Sequence, residues 1–124
     1  MPRTLRVGSV EIGAGHPLAV LAGPCVLESL EQALEIGTRV RDACRRHELQ
    51  YVFKASFDKA NRSSISSPRG PGLELGLRWL ASIGQTLGVP VTTDIHTPEQ
   101  AELAARAVDL LQIPAFLCRQ TDLL

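Results

Sequence analysis

The sequence predicts an α/β fold in which a β-hairpin precedes a parallel sheet with helices packed outside it. Three observations predict it. Beyond residue 17, short apolar runs alternate with helical-period segments in units of roughly 30 residues, the pattern of β-α-β-α-β-α-β order. The first of these runs, Leu18-Ala19-Val20-Leu21-Ala22, is apolar throughout, as in a strand covered on both faces. Polar or reactive residues then gather at the carboxyl ends of the runs, where parallel barrels and open parallel sheets place their ligands.

The elements follow in order. Residues 4–12 hold two alternating runs, with Leu5 and Val7 on one side of Gly8-Ser9 and Val10 and Ile12 on the other, which predicts a hairpin. Residues 13–17 form a loop in which His16 is expected to be an exposed loop residue. The strand Leu18–Ala22 stops at Gly23-Pro24-Cys25. Ser29 with Gln32 has the spacing of a capping box, and Leu30, Leu34, Gly37, Val40 and Cys44 follow at helical intervals, giving a helix from about 29 to 48. Cys44 falls on its apolar stripe and is expected in the core. His47 lies at the C-terminal end, where partial positive charge is favourable.

Tyr51–Ser56 is the second strand of the parallel set, followed by a charged loop over 57–70. Pro71 can open a helix whose buried face is Leu73, Leu77, Leu80, Gly84 and Leu87, with Trp79 at its edge. Gly88 ends that helix and Pro90 prevents its continuation. Pro90–Ile95 is the third strand. Thr97-Pro98-Glu99-Gln100 starts another helix, lined by Ala101, Ala104, Ala105 and Val108. Val108–Ile113 is the fourth strand, and Ala115–Leu124 begins a further loop and helix.

Composition narrows the function classes. With 124 residues, 44% of them apolar, the chain has the size of one domain and enough material for a core; with only 4% aromatic, aliphatic side chains must fill it. Zero net charge argues against a general binder of nucleic acid or anionic membrane. No apolar run approaches the roughly 18 residues of a membrane span, and residues 1–15 lack the form of a secretory signal, so a cytoplasmic protein is expected. Cys25, Cys44 and Cys118 are odd in number and widely spaced, which suggests no disulfide framework, and spacing alone indicates no zinc site.

The stretch from Lys54 to Arg69 is locally basic. Lys54, Lys59, Arg62 and Arg69 face a single anion, Asp58, with Ser56, Asn61, Ser63 and Ser64 interleaved, a set suited to phosphate and carboxylate groups. Strand alternation turns Val52, Lys54 and Ser56 to one face, Thr92, Asp94 and His96 to one face, and Leu110 and Gln112 to one face. Cys25 ends the first parallel strand. Polar residues at one strand exit are unremarkable; at four exits they indicate a site. Asp94 and His96 suit orienting a hydroxyl or moving a proton. Neither GxxxxGK[ST] nor GxGxxG is present, so nucleotide binding has little support. The residues alone imply an enzyme on a parallel α/β scaffold that uses a phosphorylated small substrate.

Several stretches resemble the 3-deoxy-D-manno-octulosonate 8-phosphate synthases (2-dehydro-3-deoxyphosphooctonate aldolases). They are Ala22 to Ser29, Lys54 to Ser64, Arg69-Gly70-Pro71-Gly72, Thr93-Asp94-Ile95-His96, and Leu111 to Asp122. The related heptulosonate-phosphate synthases share the AGPC strand end but carry a KPRTS-like run where this chain has Lys59-Ala60-Asn61-Arg62-Ser63, which makes them the alternative. The resemblance implies a (β/α)8 TIM barrel, of which residues 1–124 would be the N-terminal half: a hairpin over about 4–12 capping the N-terminal mouth, then the first four βα units over about 18–124. It implies a cytoplasmic homotetrameric transferase that condenses phosphoenolpyruvate with D-arabinose 5-phosphate and water, for lipopolysaccharide synthesis.

Carried over by position, Lys54, Lys59 and Gln112 border the phosphoenolpyruvate, Asn61 contacts the sugar, and Arg62 and Ser63 grip its phosphate. Asp94 lies near the reacting carbons, so Lys54, Lys59 and Asp94 are the expected catalytic residues. Arg119 reaches toward a neighbouring subunit's site. Cys25 stands where the family's metal-dependent class has cysteine, implying a divalent ion such as Zn, Fe or Mn held by the thiolate; Cys118 is expected to be structural. The family's other metal ligands, a His, a Glu and an Asp, have no counterpart through Leu124. Ser66 and Pro68 stand where family members often have His and an aromatic residue, which removes no expected ligand. A reading of another class is a non-catalytic half-barrel that binds phosphate or assembles with other chains.

Overall fold

The computed structural model describes residues 3–59, 64–66 and 69–124. Two short strands, β1 (Leu5–Val7) and β2 (Val10–Ile12), pair antiparallel with Val7 opposite Val10. Gly8 takes the left-handed conformation, φ 56°, that the two-residue turn requires. Four further strands, β3 (Ala19–Val26), β4 (Gln50–Ser56), β5 (Val91–Asp94) and β6 (Leu110–Gln112), form one parallel sheet in chain order. The helices α1 (Leu30–Arg46), α2 (Leu73–Leu87) and α3 (Pro98–Ala105) make the crossovers. Each strand neighbours the next in sequence with a helix between, the wall topology of a (β/α) barrel. Among the described residues β3 and β6 are the open edges of that wall.

The expected strand alternation sorts the core. Tyr51, Phe53 and Ala55 of β4, with Phe57, Val91 and Ile95, face the helices and pack against Leu77, Leu80, Ile83 and Leu87 of α2 and Ala33 and Cys44 of α1. Cys44 is therefore a core residue, as its position on the stripe predicts. Gly37 belongs to the same seam: a Cβ there would crowd Leu87 and Phe53, so glycine sets how closely α1 approaches. The hairpin docks under the N-terminal ends of the strands. The Gln50 side-chain amide donates to the carbonyls of Glu11 (2.6 Å) and Pro17 (2.7 Å), and its oxygen accepts from the Glu11 N–H (2.8 Å). Val7 and Val10 are buried in this joint. His16, expected as an exposed loop residue, is half-buried and reaches back to the hairpin, with Thr4 Oγ1 at 3.2 Å and Glu11 Oε2 at 3.4 Å.

Helix boundaries follow local chemistry. Ser29 caps α1, its Oγ accepting from the Gln32 N–H at 3.1 Å. Ser29→Ala is expected to cost about 1 kcal/mol, read as a lowered urea midpoint at constant slope. The helix ends at Arg46, short of residue 48, because His47 already caps it and Glu48 turns left-handed at φ 55°. Gly72 rather than Pro71 occupies the cap of α2, and Gly88 closes that helix in the left-handed conformation as expected. Thr97 caps α3 with Pro98 in the first turn. The Gln100 side chain reaches one residue further back than a capping box predicts and accepts from the His96 N–H at 2.8 Å.

Other boundaries also differ from expectation, the third parallel strand spanning only Val91–Asp94 and not Pro90–Ile95. The first parallel strand does not stop at Gly23-Pro24 but continues to Val26 through a bulge. The fourth spans only Leu110–Gln112, because Val108 closes the turn after α3, where its N–H bonds to the Ala104 carbonyl. Ala115–Leu117 is a single 3-10 turn, followed by further turns and not by an α-helix. Cys118 lies exposed in that segment and contributes nothing to the core.

Candidate active site

The bulge in β3 brings Cys25 to Lys59, a residue of the cleft lining. Ala22 pairs with Phe53 and Cys25 with Ala55, so Gly23 and Pro24 together oppose Lys54 alone. A Cβ on Gly23 would collide with the Lys54 carbonyl oxygen, and Pro24 supplies no N–H to the ladder. The extra residue delivers Cys25 to the carboxyl end of the sheet at φ 71°, a left-handed conformation uncommon outside glycine. The exposed thiol sulfur accepts a hydrogen bond from Lys59 Nζ at 2.6 Å.

A cleft of about 910 Å³ opens at the same end of the sheet. Lys54 and Ser56 of β4, Asp94 of β5 and Gln112 of β6 line it from the strands, as alternation predicts, and Lys59 from the following loop. Phe116 and Leu117, from the 3-10 turn after β6, form an apolar side that pattern reading missed, because the segment was expected to be helical and so to turn one face away.

Asp94 and His96 form the most confined polar unit. His96 Nε2 lies 2.7 Å from Asp94 Oδ2, with the two side chains 19% and 13% exposed. The imidazole packs on the Phe57 ring at 5.7 Å between centroids, and Gln100 fixes its main-chain N–H. The second oxygen, Asp94 Oδ1, is buried without a hydrogen-bond partner among the described residues. An unmade bond to a buried polar atom costs about 1–3 kcal/mol. At the head of a cleft, such an oxygen suits a substrate hydroxyl or a transferred proton.

The cations are not equivalent. Arg69 grips Asp58 with two parallel bonds of 2.9 Å, from Nε to Oδ1 and from a terminal nitrogen to Oδ2. That hydrogen bonding, followed by the Asp58 charge, raises the Arg69 pKa, so it stays cationic. Its charge is nevertheless largely matched, and it serves to close the loop, where the Lys59 N–H also bonds to the Arg69 carbonyl at 2.7 Å. Lys54 of β4 and Lys59 of the loop also line the cleft, and Lys59 Nζ donates to the Cys25 sulfur. Asn61, Arg62 and Ser63 lie outside the described residues. Arg119 is exposed on the turn after β6 and does not line the cleft.

Among the described residues no three His, Cys, Asp or Glu side chains come together, and Cys25 is a single soft donor beside the cleft. It fits the part of one ligand and needs others to complete a shell. No helix among the described residues is long and apolar enough to cross a membrane.

Comparison with known proteins is consistent with this geometry. The chain is 54% identical over 124 residues to a 2-dehydro-3-deoxyphosphooctonate aldolase of Citrifermentans bemidjiense and to one of Geobacter sp. strain M21, in each case over 100% of this chain and 45% of the relative. It is 53% identical over 125 residues to the protein of that name from Desulfatibacillum aliphaticivorans, covering 100% of this chain and 46% of the relative. The chain thus spans a little under half the length of the curated relatives it matches. Residues 3–124 match the model of the DAHP synthetase I family, and the chain belongs to that family.

Proposed function

We propose that this chain is the phosphoenolpyruvate-binding half of a 3-deoxy-8-phosphooctulonate synthase, a transferase that joins phosphoenolpyruvate, D-arabinose 5-phosphate and water to give 3-deoxy-D-manno-octulosonate 8-phosphate and inorganic phosphate. The observation that carries the reading is the convergence of Lys54, Lys59, Asp94 and Gln112 on one cleft at the carboxyl ends of the strands. The identity to proteins named for the octulosonate product supports this sugar over a heptulosonate chemistry.

In this reading C3 of the enol phosphate attacks the sugar aldehyde, water adds at C2, and the C2–O bond breaks to release phosphate. Lys54 and Lys59 hold the phosphate and carboxylate and offset charge as it develops, and Gln112 orients the same substrate. Asn61 meets the sugar, and Arg62 and Ser63 its phosphate. Asp94, backed by His96, lies at the reacting carbons and accepts or returns a proton. Cys25 would serve as one ligand of a divalent ion (Zn, Fe or Mn), which would supply Lewis-acid positive charge to the reaction. The whole enzyme is a cytoplasmic homotetramer in which Arg119 reaches a neighbouring site.

The test is a chimera in which this chain replaces the matching residues of the Citrifermentans bemidjiense relative. It is expected to release one phosphate per phosphoenolpyruvate with arabinose 5-phosphate. A folded chimera that prefers erythrose 4-phosphate sinks the octulosonate reading. For residues 1–124 alone we expect no phosphate release, because the described sheet is open at β3 and β6 and no three metal-ligating side chains come together among the described residues. Stoichiometric release from the purified chain would overturn that expectation.

A further inference from the structure

Tyr51 sits on the helix-facing side of β4, away from the cleft, and is 5% exposed. Its phenol donates a 2.8 Å hydrogen bond to the carbonyl of Ala22. Ala22 is the last residue of β3 in regular register before the bulge. Beyond it the chain has to do three unusual things at once. Gly23 passes against the Lys54 carbonyl, Pro24 crosses without an N–H, and Cys25 takes a positive φ. Register resumes at Cys25 opposite Ala55, and just past the strand the Leu27 N–H bonds to the Ser56 carbonyl at 3.0 Å. Neither glycine freedom nor proline rigidity selects this path, since the same residues could continue in an extended form.

We infer that Tyr51 is a positioning residue: its hydrogen bond to Ala22 pins the base of the bulge and thereby sets where the Cys25 sulfur meets Lys59. Burial keeps the phenol protonated far above neutral pH, so the donor is constant. Tyrosine also suits the place for a packing reason, because its ring joins the core while its hydroxyl finds an acceptor. What the placement does for catalysis rests on the role proposed above for Cys25. The placement itself does not, and it can be measured without substrate or metal.

The experiment uses the full chain in a Cys118→Ser background, since Cys44 is buried and Cys25 is then the accessible thiol. Three variants are compared: Tyr51→Phe, Lys59→Met and Thr38→Val. The last removes a side-chain hydrogen bond of similar length, from Thr38 Oγ1 to the Leu34 carbonyl at 2.7 Å, with no route to the bulge. Lys59→Met sets the rate at which an aromatic disulfide reagent reacts with Cys25 when the contact from Lys59 Nζ is gone. Tyr51→Phe is expected to move to that rate and to shift the Cys25 Cα and Cβ resonances toward extended values. Thr38→Val should change neither. Unchanged rate and resonances in a folded Tyr51→Phe chain overturn the inference, as does an equal change in Thr38→Val. Should Tyr51→Phe fail to fold, hydrogen exchange on the unsubstituted chain decides. The Leu27 amide is expected to exchange as slowly as that of Phe53; exchange as fast as at residues 64–66 refutes the pinned bulge.

Discussion

Gly23→Ala is expected to lower stability by at least about 3 kcal/mol, in this chain or in the chimera, and to detach β3 from β4 above Ala22. The cause is a backbone collision. A Cβ at this position meets the Lys54 carbonyl carbon as well as its oxygen, and neither is the movable end of a side chain. Overpacking of side chains typically costs about 1–3 kcal/mol because rotamers give way; here the strand itself must move. The displaced segment carries Cys25, and its partner carries Lys54, so stability and the site fail together. Gly72→Ala is the control. Gly72 has a positive φ, 89°, which Gly23 does not share, and no heavy atom lies within 4 Å of an added Cβ. Only the conformational cost of about 1–2 kcal/mol is expected there. Urea unfolding of the two variants separates the effects; equal midpoints would mean that the close approach at Gly23 is absent.

Cys25→Ala in the chimera is expected to remove bound divalent metal and at least about 99% of phosphate release, a loss of roughly 3 kcal/mol of transition-state stabilisation or more. The expectation follows from position. Cys25 is a soft donor beside the cleft, its sulfur in contact with Lys59 Nζ beyond the bulge. Metal content measured on the purified protein is a readout independent of turnover. Full metal occupancy in the alanine variant would sink the ligand role, whatever happened to activity. Retained activity with metal lost would instead confine the ion to a structural part.

Much of this site was legible in the sequence because strand alternation is a strict geometric rule. Once Tyr51–Ser56 and Val91–Asp94 are strands, Lys54, Ser56 and Asp94 must share a side, and the cleft collects them. The cap at Ser29 and the stop at Gly88 were legible for the same reason, since each meets a local backbone need. The bulge was not. Gly-Pro after an apolar run is the usual signature of a strand end, and only the pairing with β4 shows that the strand resumes. Nor could the sequence divide the cations, because the Asp58–Arg69 bond joins residues whose approach depends on how the loop closes. The turn at Ala115–Leu117 reads as the start of a helix, yet its exposed Phe116 is a wall of the cleft.

In the proposed reading phosphoenolpyruvate binds at the carboxyl ends of β4 to β6. A crystal structure of the chimera soaked with phosphoenolpyruvate is expected to show the ligand's anionic groups within hydrogen-bond distance of Lys54, Lys59 and Gln112, with its reacting carbons facing Asp94. Phosphoenolpyruvate bound elsewhere, with that cleft left to solvent, would contradict that reading.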